Sequence, residues 1–320
     1  MKILKLTSGI ASAVLLLEIL MRLVSPIVGP PQTVWQIQQQ AKLIKIQERP
    51  SKFGPIDMVI MGDSTGKEGV DPDILDVAVG EGFHSFNASL NSSTTYTIME
   101  QFKDILRYSK PKYLLIMMGP NISRESDDDV SAETYDLAAS VNQGTGIKSF
   151  FNRNLYLYRY RNNIRDPFIL NTLYRSIRFW SLREGVVYRN VDTMKDNGDS
   201  SFVRTLNSHG KGQWQLPTNE PELEPTHFPS ATMRHLRIMK VECQKIGVKL
   251  ILATVPTNSY NPTYRVLIPA MAKDLGLGFI QGNDATYDFS NFSDGVHLND
   301  VGAKILSKFL GLELYAILTK

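Results

Sequence analysis

Cysteine is all but missing from this chain. Cys243 stands alone in 320 residues, which excludes an internal disulfide and a cysteine-built zinc site. Histidine is also scarce, and four of its five occurrences are scattered outside one short segment. Neither sign of charge dominates: 35 Lys and Arg against 32 Asp and Glu give a formal charge of +3, a balance that offers no footing for nucleic acid or another strongly charged partner. No internal repeat is visible. A phosphate loop is absent too, although residues 62–67 come near one. Only three residues separate Gly62 from Gly66-Lys67, and Glu68 follows where Ser or Thr would be needed. What the chain does have is apolar content: 42% of its residues are hydrophobic, enough for a full core in one large domain or two small ones.

The first residues carry their own signal. Lys2 and Lys5 precede an apolar stretch over residues 6–28 that is long enough to cross a bilayer and is charged only at Glu18 and Arg22. These two are four apart, so on a helix they share a face and can neutralise one another. Ala11-Ser12-Ala13 lies inside the stretch rather than beyond it, which argues against a cleavable signal peptide. The expectation is an uncleaved membrane anchor over residues 1–30. The alternative is a buried or interfacial amphipathic helix. Residues 31–52, rich in Gln and Lys with helical periodicity, read as a polar stalk, and the body occupies 53–320.

Within that body, short apolar runs close on turn formers at residues 56–62, 85–90, 113–119 and 248–256. Helical patterns occupy 95–108, 232–246 and 300–317. Alternating strands and helices predict a parallel sheet covered by helices, with ligands gathering beyond the carboxyl ends of its strands. Residues 122–230 interrupt the rhythm as a long, mostly helical insert. Arginines interleave with aromatics over 151–190, which suits helices packed over the sheet or the wall of a substrate groove. Residues 207–224 read as a loop or lid.

The chemistry starts at Gly62-Asp63-Ser64, a serine placed where a buried strand ends. Alone, such a serine is more often a helix cap or a turn residue. Near the other terminus, Asp294 and His297 lie three apart just before the last helix, a spacing at which a turn can set the carboxylate beside the imidazole. Together they would supply a base and its orienting acid; metal ligation by the same two residues is the alternative. Asn121 follows a strand and could donate to the oxyanion of a tetrahedral intermediate, beside the Ser64 N–H.

These blocks resemble the SGNH hydrolase superfamily, the GDSL-like esterases. Gly62-Asp63-Ser64-Thr65 matches its first block and Asp294 to Leu298 its last. Gly119-Pro120-Asn121 matches the third, with Ile122 in place of an aspartate, and Ser92 stands where the second block has an oxyanion-hole glycine. The resemblance implies a flavodoxin-like SGNH hydrolase fold. It also implies Ser64 as nucleophile, His297 as base, Asp294 as its orienter, and Asn121 with the Ser92 backbone as oxyanion donors, without cofactor or metal. With the expected transmembrane helix, it further implies a bacterial protein held in the cell membrane by a single pass, its catalytic domain outside the cytoplasm. Such a protein would be an O-acyl esterase or acyltransferase on an acylated glycan or other ester, with the lipid bilayer and a membrane-bound O-acyltransferase as partners. An anchored glycan-binding scaffold and a lipid esterase at the membrane surface are the rival readings.

Overall fold

The computed structural model describes residues 2–28, 34–91, 93–119, 155, 194–199, 230–256, 262–285, 287–294 and 296–319. The chain divides into two compact units, Met1–Ile37 with Asp128–Arg189, and Gln38–Asp127 with Asn190–Lys320. Apart from Leu155, residues 194–199 and Ser230, the expected insert over 122–230 lies outside the described residues, and so does the expected lid over 207–224.

The first unit contributes α1 (Lys2–Val28). The expected membrane anchor is overturned here: among the described residues no helix is long and apolar enough to cross a membrane. Glu18 and Arg22 break the apolar residues of α1 into short runs, the longest unbroken one before Glu18 being residues 13–17. Their side chains pair at 3.0 Å, with Glu18 largely withdrawn from solvent and Arg22 half exposed. The transmembrane helix of the expected fold falls with this finding. So do the signal-anchor reading, the single-pass location in a bacterial cell membrane, and the bilayer as partner through this helix. The membrane-bound acyltransferase partner rested on the same anchor and goes with it.

Among the described residues, the second unit is built on five parallel strands: β1 (Met58–Gly62), β2 (Ser85–Asn87), β3 (Tyr113–Met118), β4 (Lys249–Thr254) and β5 (Gly278–Ile280). Their order is β2-β1-β3-β4-β5. β1 is buried at every position, and β3 and β4 at all but their first residue, as a sheet covered on both faces requires. On one face Met58, Ile60, Leu115, Met117, Ile251 and Ala253 pack with Leu75, Leu306, Leu310 and Leu314. These leucines come from α4 (Pro72–Val79) and α8 (Asp300–Leu318). The alternate residues Val59, Met61, Leu114, Ile116, Leu250 and Leu252 are buried towards the other face. There α6 (Ser230–Lys245) lies against β4 and α5 (Thr95–Ile105). Each fully buried aliphatic side chain contributes about 1.5–3 kcal/mol.

The order places β1 between β2 and β3. The chain therefore leaves β1 for one edge and returns on the other side of it, the crossover point where open α/β sheets bind ligands. The described residues of the unit also form α3 (Ser64–Gly69) directly after β1 and α7 (Pro262–Leu275) before β5. The segment expected as a stalk falls in α2 (Val34–Phe53), where Ala41, Lys42 and Ile46 are buried.

Candidate active site

β1 ends at Gly62 and the chain turns at once into α3, with Asp63 as its N-cap. Asp63 Oδ1 accepts from the Thr65 N–H at 2.9 Å and from Thr65 Oγ1–H at 2.6 Å, which fixes the entry to the helix. Gly119, just past β3, lies close against this cap, and a Cβ there would fall on both Asp63 carboxylate oxygens and on Thr65 Oγ1. Glycine also lets α3 sit down on β3, since a Cβ at Gly62 or Gly66 would come within 2.9 Å of Met117 Cβ. At the other end of α3, Asn87 Nδ2 donates to the carbonyls of Gly66 and Val70, at 3.2 and 2.9 Å. The six-residue helix is thus held at both ends by buried side chains, and Ser64 is its first residue. Its N–H belongs to the first turn, whose donors have no acceptor within the helix.

The loop carrying Asp294 and His297 is closed by an antiparallel bridge between Phe292 and Leu298, with the Ser293 N–H donating to the His297 carbonyl at 2.8 Å. Asn299 then caps α8, accepting from the Val301 and Gly302 N–H groups at 3.0 and 3.1 Å. Inside this tight turn Asp294 Oδ1 accepts from the backbone N–H groups of Val296 and His297, at 2.8 and 2.7 Å. Asp294 Oδ2 lies 2.7 Å from His297 Nδ1. His297 Nε2 lies 2.8 Å from Ser64 Oγ, 233 residues earlier in sequence.

The proton positions follow from chemistry. An ionised carboxylate can only accept, so His297 Nδ1 carries the hydrogen facing Asp294, and Nε2 of the neutral ring accepts from the Ser64 hydroxyl. Burial alone would raise the Asp294 pKa. The hydrogen bonds from the His297 ring and from the Val296 and His297 backbone outweigh it and hold the carboxyl at about 2. His297 is raised above the ordinary histidine value, first by its hydrogen bond to Asp294, against burial, with the charges of Asp294, Glu68 and Asp63 adding to the rise. Cys243, buried on α6, is no rival nucleophile: desolvation and the charge of Glu242 push its thiol up to about 12.

The chain is similar to other solved structures at low identity. One is a proposed acylhydrolase from Bacteroides fragilis, 11% identical over 90% of this chain and 100% of that one, with a TM-score of 0.43. Another is a GDSL-like lipase from Bacteroides thetaiotaomicron, 14% identical over 88% of this chain and 98% of that one, with a TM-score of 0.41. No protein-family profile and no curated protein matches the chain.

Of the five residues expected in the site, the structure brings Ser64, His297 and Asp294 into one hydrogen-bonded line. Ser92 and Asn121 lie outside the described residues. Three contributors went unrecognised in the sequence: Asp63 as cap, Asn87 as the clamp on α3, and the buried Lys67–Glu68 pair. A signal for the first two was present. Asp directly before a serine at a strand end is a helix-cap pattern, and an Asn ending a neighbouring short strand is well placed to bind free carbonyls.

Proposed function

We propose that this protein is a serine-dependent O-acyl esterase or acyltransferase. The observation that carries the reading is the continuous line from Ser64 Oγ through the His297 ring to Asp294, with contacts of 2.8 and 2.7 Å. His297 takes the Ser64 proton on Nε2 as the oxygen attacks the ester carbonyl, and Asp294 holds the ring and steadies the imidazolium. The Ser64 N–H at the start of α3, the Asn121 side chain and the Ser92 backbone are the oxyanion donors in this reading. The imidazolium then returns its proton to the departing alkoxide. Water or a sugar hydroxyl, deprotonated in turn by His297, releases the acyl group and restores the serine. An acylated glycan is one ester substrate to test in this reading.

The test uses the full chain and short activated acyl esters, alongside an O-acetylated glycan. Ser64→Ala and His297→Ala should each cut turnover by at least about 10³-fold while leaving the thermal unfolding profile in place. A serine-directed phosphonate should add one adduct, on Ser64, by mass spectrometry. Undiminished turnover in either variant would overturn the roles given to Ser64 and His297, and glycan binding by a wild-type chain that neither turns over ester nor takes the adduct would replace this reading with a binding scaffold.

A further inference from the structure

α3 carries an ion pair for which acyl transfer, as described, has no task. Lys67 Nζ lies 2.8 Å from Glu68 Oε1, and the side chains are only 7% and 2% exposed. Withdrawing two charges from water is expensive, and pairs of this kind are often neutral or unfavourable for stability. The pairing is also one-sided. Glu68 Oε2 is buried with no hydrogen-bond partner among the described residues, so its share of the negative charge is not countered at contact distance.

The position of the pair is specific. Ser64 opens α3 and Glu68 comes four residues later, so the two stand on one face of the helix, a single turn apart. His297 Nε2 is hydrogen-bonded to Ser64 Oγ on that side. Among the described residues, the charges that bear on the His297 ring come from three places. Asp294 on its own loop bonds it directly, Asp63 caps α3, and Glu68 lies within α3; all three favour the protonated ring. Asp300, at the start of α8, is paired at 2.9 Å with Lys304. Asp63 is committed to the Thr65 N–H and hydroxyl. Glu68, by contrast, is buried beside a cation of its own helix, Lys67.

Building on the acyl-transfer role proposed above, we propose that Glu68 is a positioning residue. Buried one turn from Ser64 and countered by Lys67 on one oxygen only, its carboxylate stabilises the imidazolium formed when His297 takes the serine proton. No proton passes to Glu68. The proton moves from Ser64 Oγ to His297 Nε2 and on to the leaving alkoxide, while Glu68 acts through space and Lys67 limits how far its field reaches.

The experiment titrates the His297 ring by NMR in the full chain, in the wild type, Glu68→Gln, Lys67→Met and the double variant, with unfolding curves as the check on folding. Glu68→Gln leaves Lys67 without its anion and should lower the His297 pKa by about one unit. Lys67→Met leaves the anion uncountered and should raise it by about half a unit. The double variant, which leaves no ion unpaired, should fall between Glu68→Gln and the wild type, and it decides the matter if a single variant fails to fold. The acid limb of kcat/KM should move with the same signs. A His297 pKa within about 0.2 unit of the wild type in Glu68→Gln and the double variant, or shifts of the same sign in both single variants, overturns the proposal. Ring titration needs no turnover. Expected shifts in a chain without esterase activity would therefore count against acyl transfer alone, and an active chain with an unmoved ring would count against Glu68 alone.

Discussion

Asp294 and His297 occupy opposite ends of the same proton scale, and this sets how activity and stability respond to pH. In the proposed reaction His297 must be neutral to act as a base, and its pKa lies above the ordinary histidine value. kcat/KM should therefore rise through a pKa higher than that of free imidazole. The stability term has the opposite course. A group raised in the folded state stabilises fully below its unfolded pKa, and this contribution fades as pH climbs through the folded value. Activity thus appears as the His297 contribution to stability disappears. Asp294, held at about 2, stays ionised throughout that range and contributes its stabilisation until pH falls through its folded pKa. Rate and denaturation profiles on one preparation check both signs. Asp294→Asn would turn an amide towards Nδ1 and disfavour the tautomer with a proton there. The expected loss in kcat is on the order of 10³- to 10⁴-fold, with KM little changed, read from steady-state kinetics on an activated ester.

At the level of the elements, what could be read in the sequence and what could not divide along physical lines. β1, β3 and β4 were legible because strands of a doubly covered parallel sheet are continuous apolar runs, and Met58 to Gly62 or Leu250 to Thr254 have no other use for such a pattern. α5, α6 and α8 showed through their periodicity. α3 did not: six residues containing two glycines have neither the length nor the propensity to announce a helix, and it is held by Asp63 and Asn87 instead. α7 was obscured by Pro269 in its interior, and β5 is only three residues long and begins with Gly278. The serine, histidine and aspartate could be picked out because strand end, spacing and order are properties of sequence. The Lys67–Glu68 pair could not, because burial of a surface-type residue pair is decided by packing.

Gly119→Ala would set a methyl group against the Asp63 cap and should destabilise the chain by about 1–3 kcal/mol while displacing Ser64, so denaturant midpoint and turnover should fall together. Asp76, on α4, accepts from the Ser85 N–H at 2.9 Å, and burial raises its pKa to about 6 despite that bond and the nearby Arg49. A raised carboxyl stabilises fully below its unfolded pKa, and the contribution is lost as pH rises to the folded value. Stability should accordingly decline between about pH 4 and pH 6, by about 3 kcal/mol for this group. Asp76→Asn keeps an acceptor for the N–H and should flatten the curve in that window, as followed by urea unfolding at a series of pH values.

Across the whole molecule, long sequence separations are bridged by polar groups of α2. Lys42 Nζ donates to the Asn87 carbonyl at 2.5 Å, Gln39 Nε2 to Asp104 at 2.9 Å and Lys45 Nζ to Asp196 at 3.0 Å. α2 therefore joins the end of β2, the end of α5 and residues 194–199. Asn87 is the common point, since its side chain clamps α3 while its own N–H donates to the Asn197 carbonyl at 2.9 Å. The lysines that looked like the solvated face of a stalk differ sharply in surroundings. Lys42 is 1% exposed, whereas Lys45 pairs with an Asp196 side chain that is 40% exposed. Removing the buried donor leaves an interior carbonyl without its partner and a cavity where the lysine stem lay, so Lys42→Ala should cost about 2–4 kcal/mol. Lys45→Ala removes a half-open ion pair and should cost at most about 1 kcal/mol. Because Lys42 reaches the residue that holds α3, its loss should also lower any turnover of activated esters beyond the fall in folded fraction. Lys45→Ala should leave turnover per folded molecule at the wild-type value. Equal midpoints for the two variants in denaturant unfolding would mean that α2 does not secure β2 through Lys42.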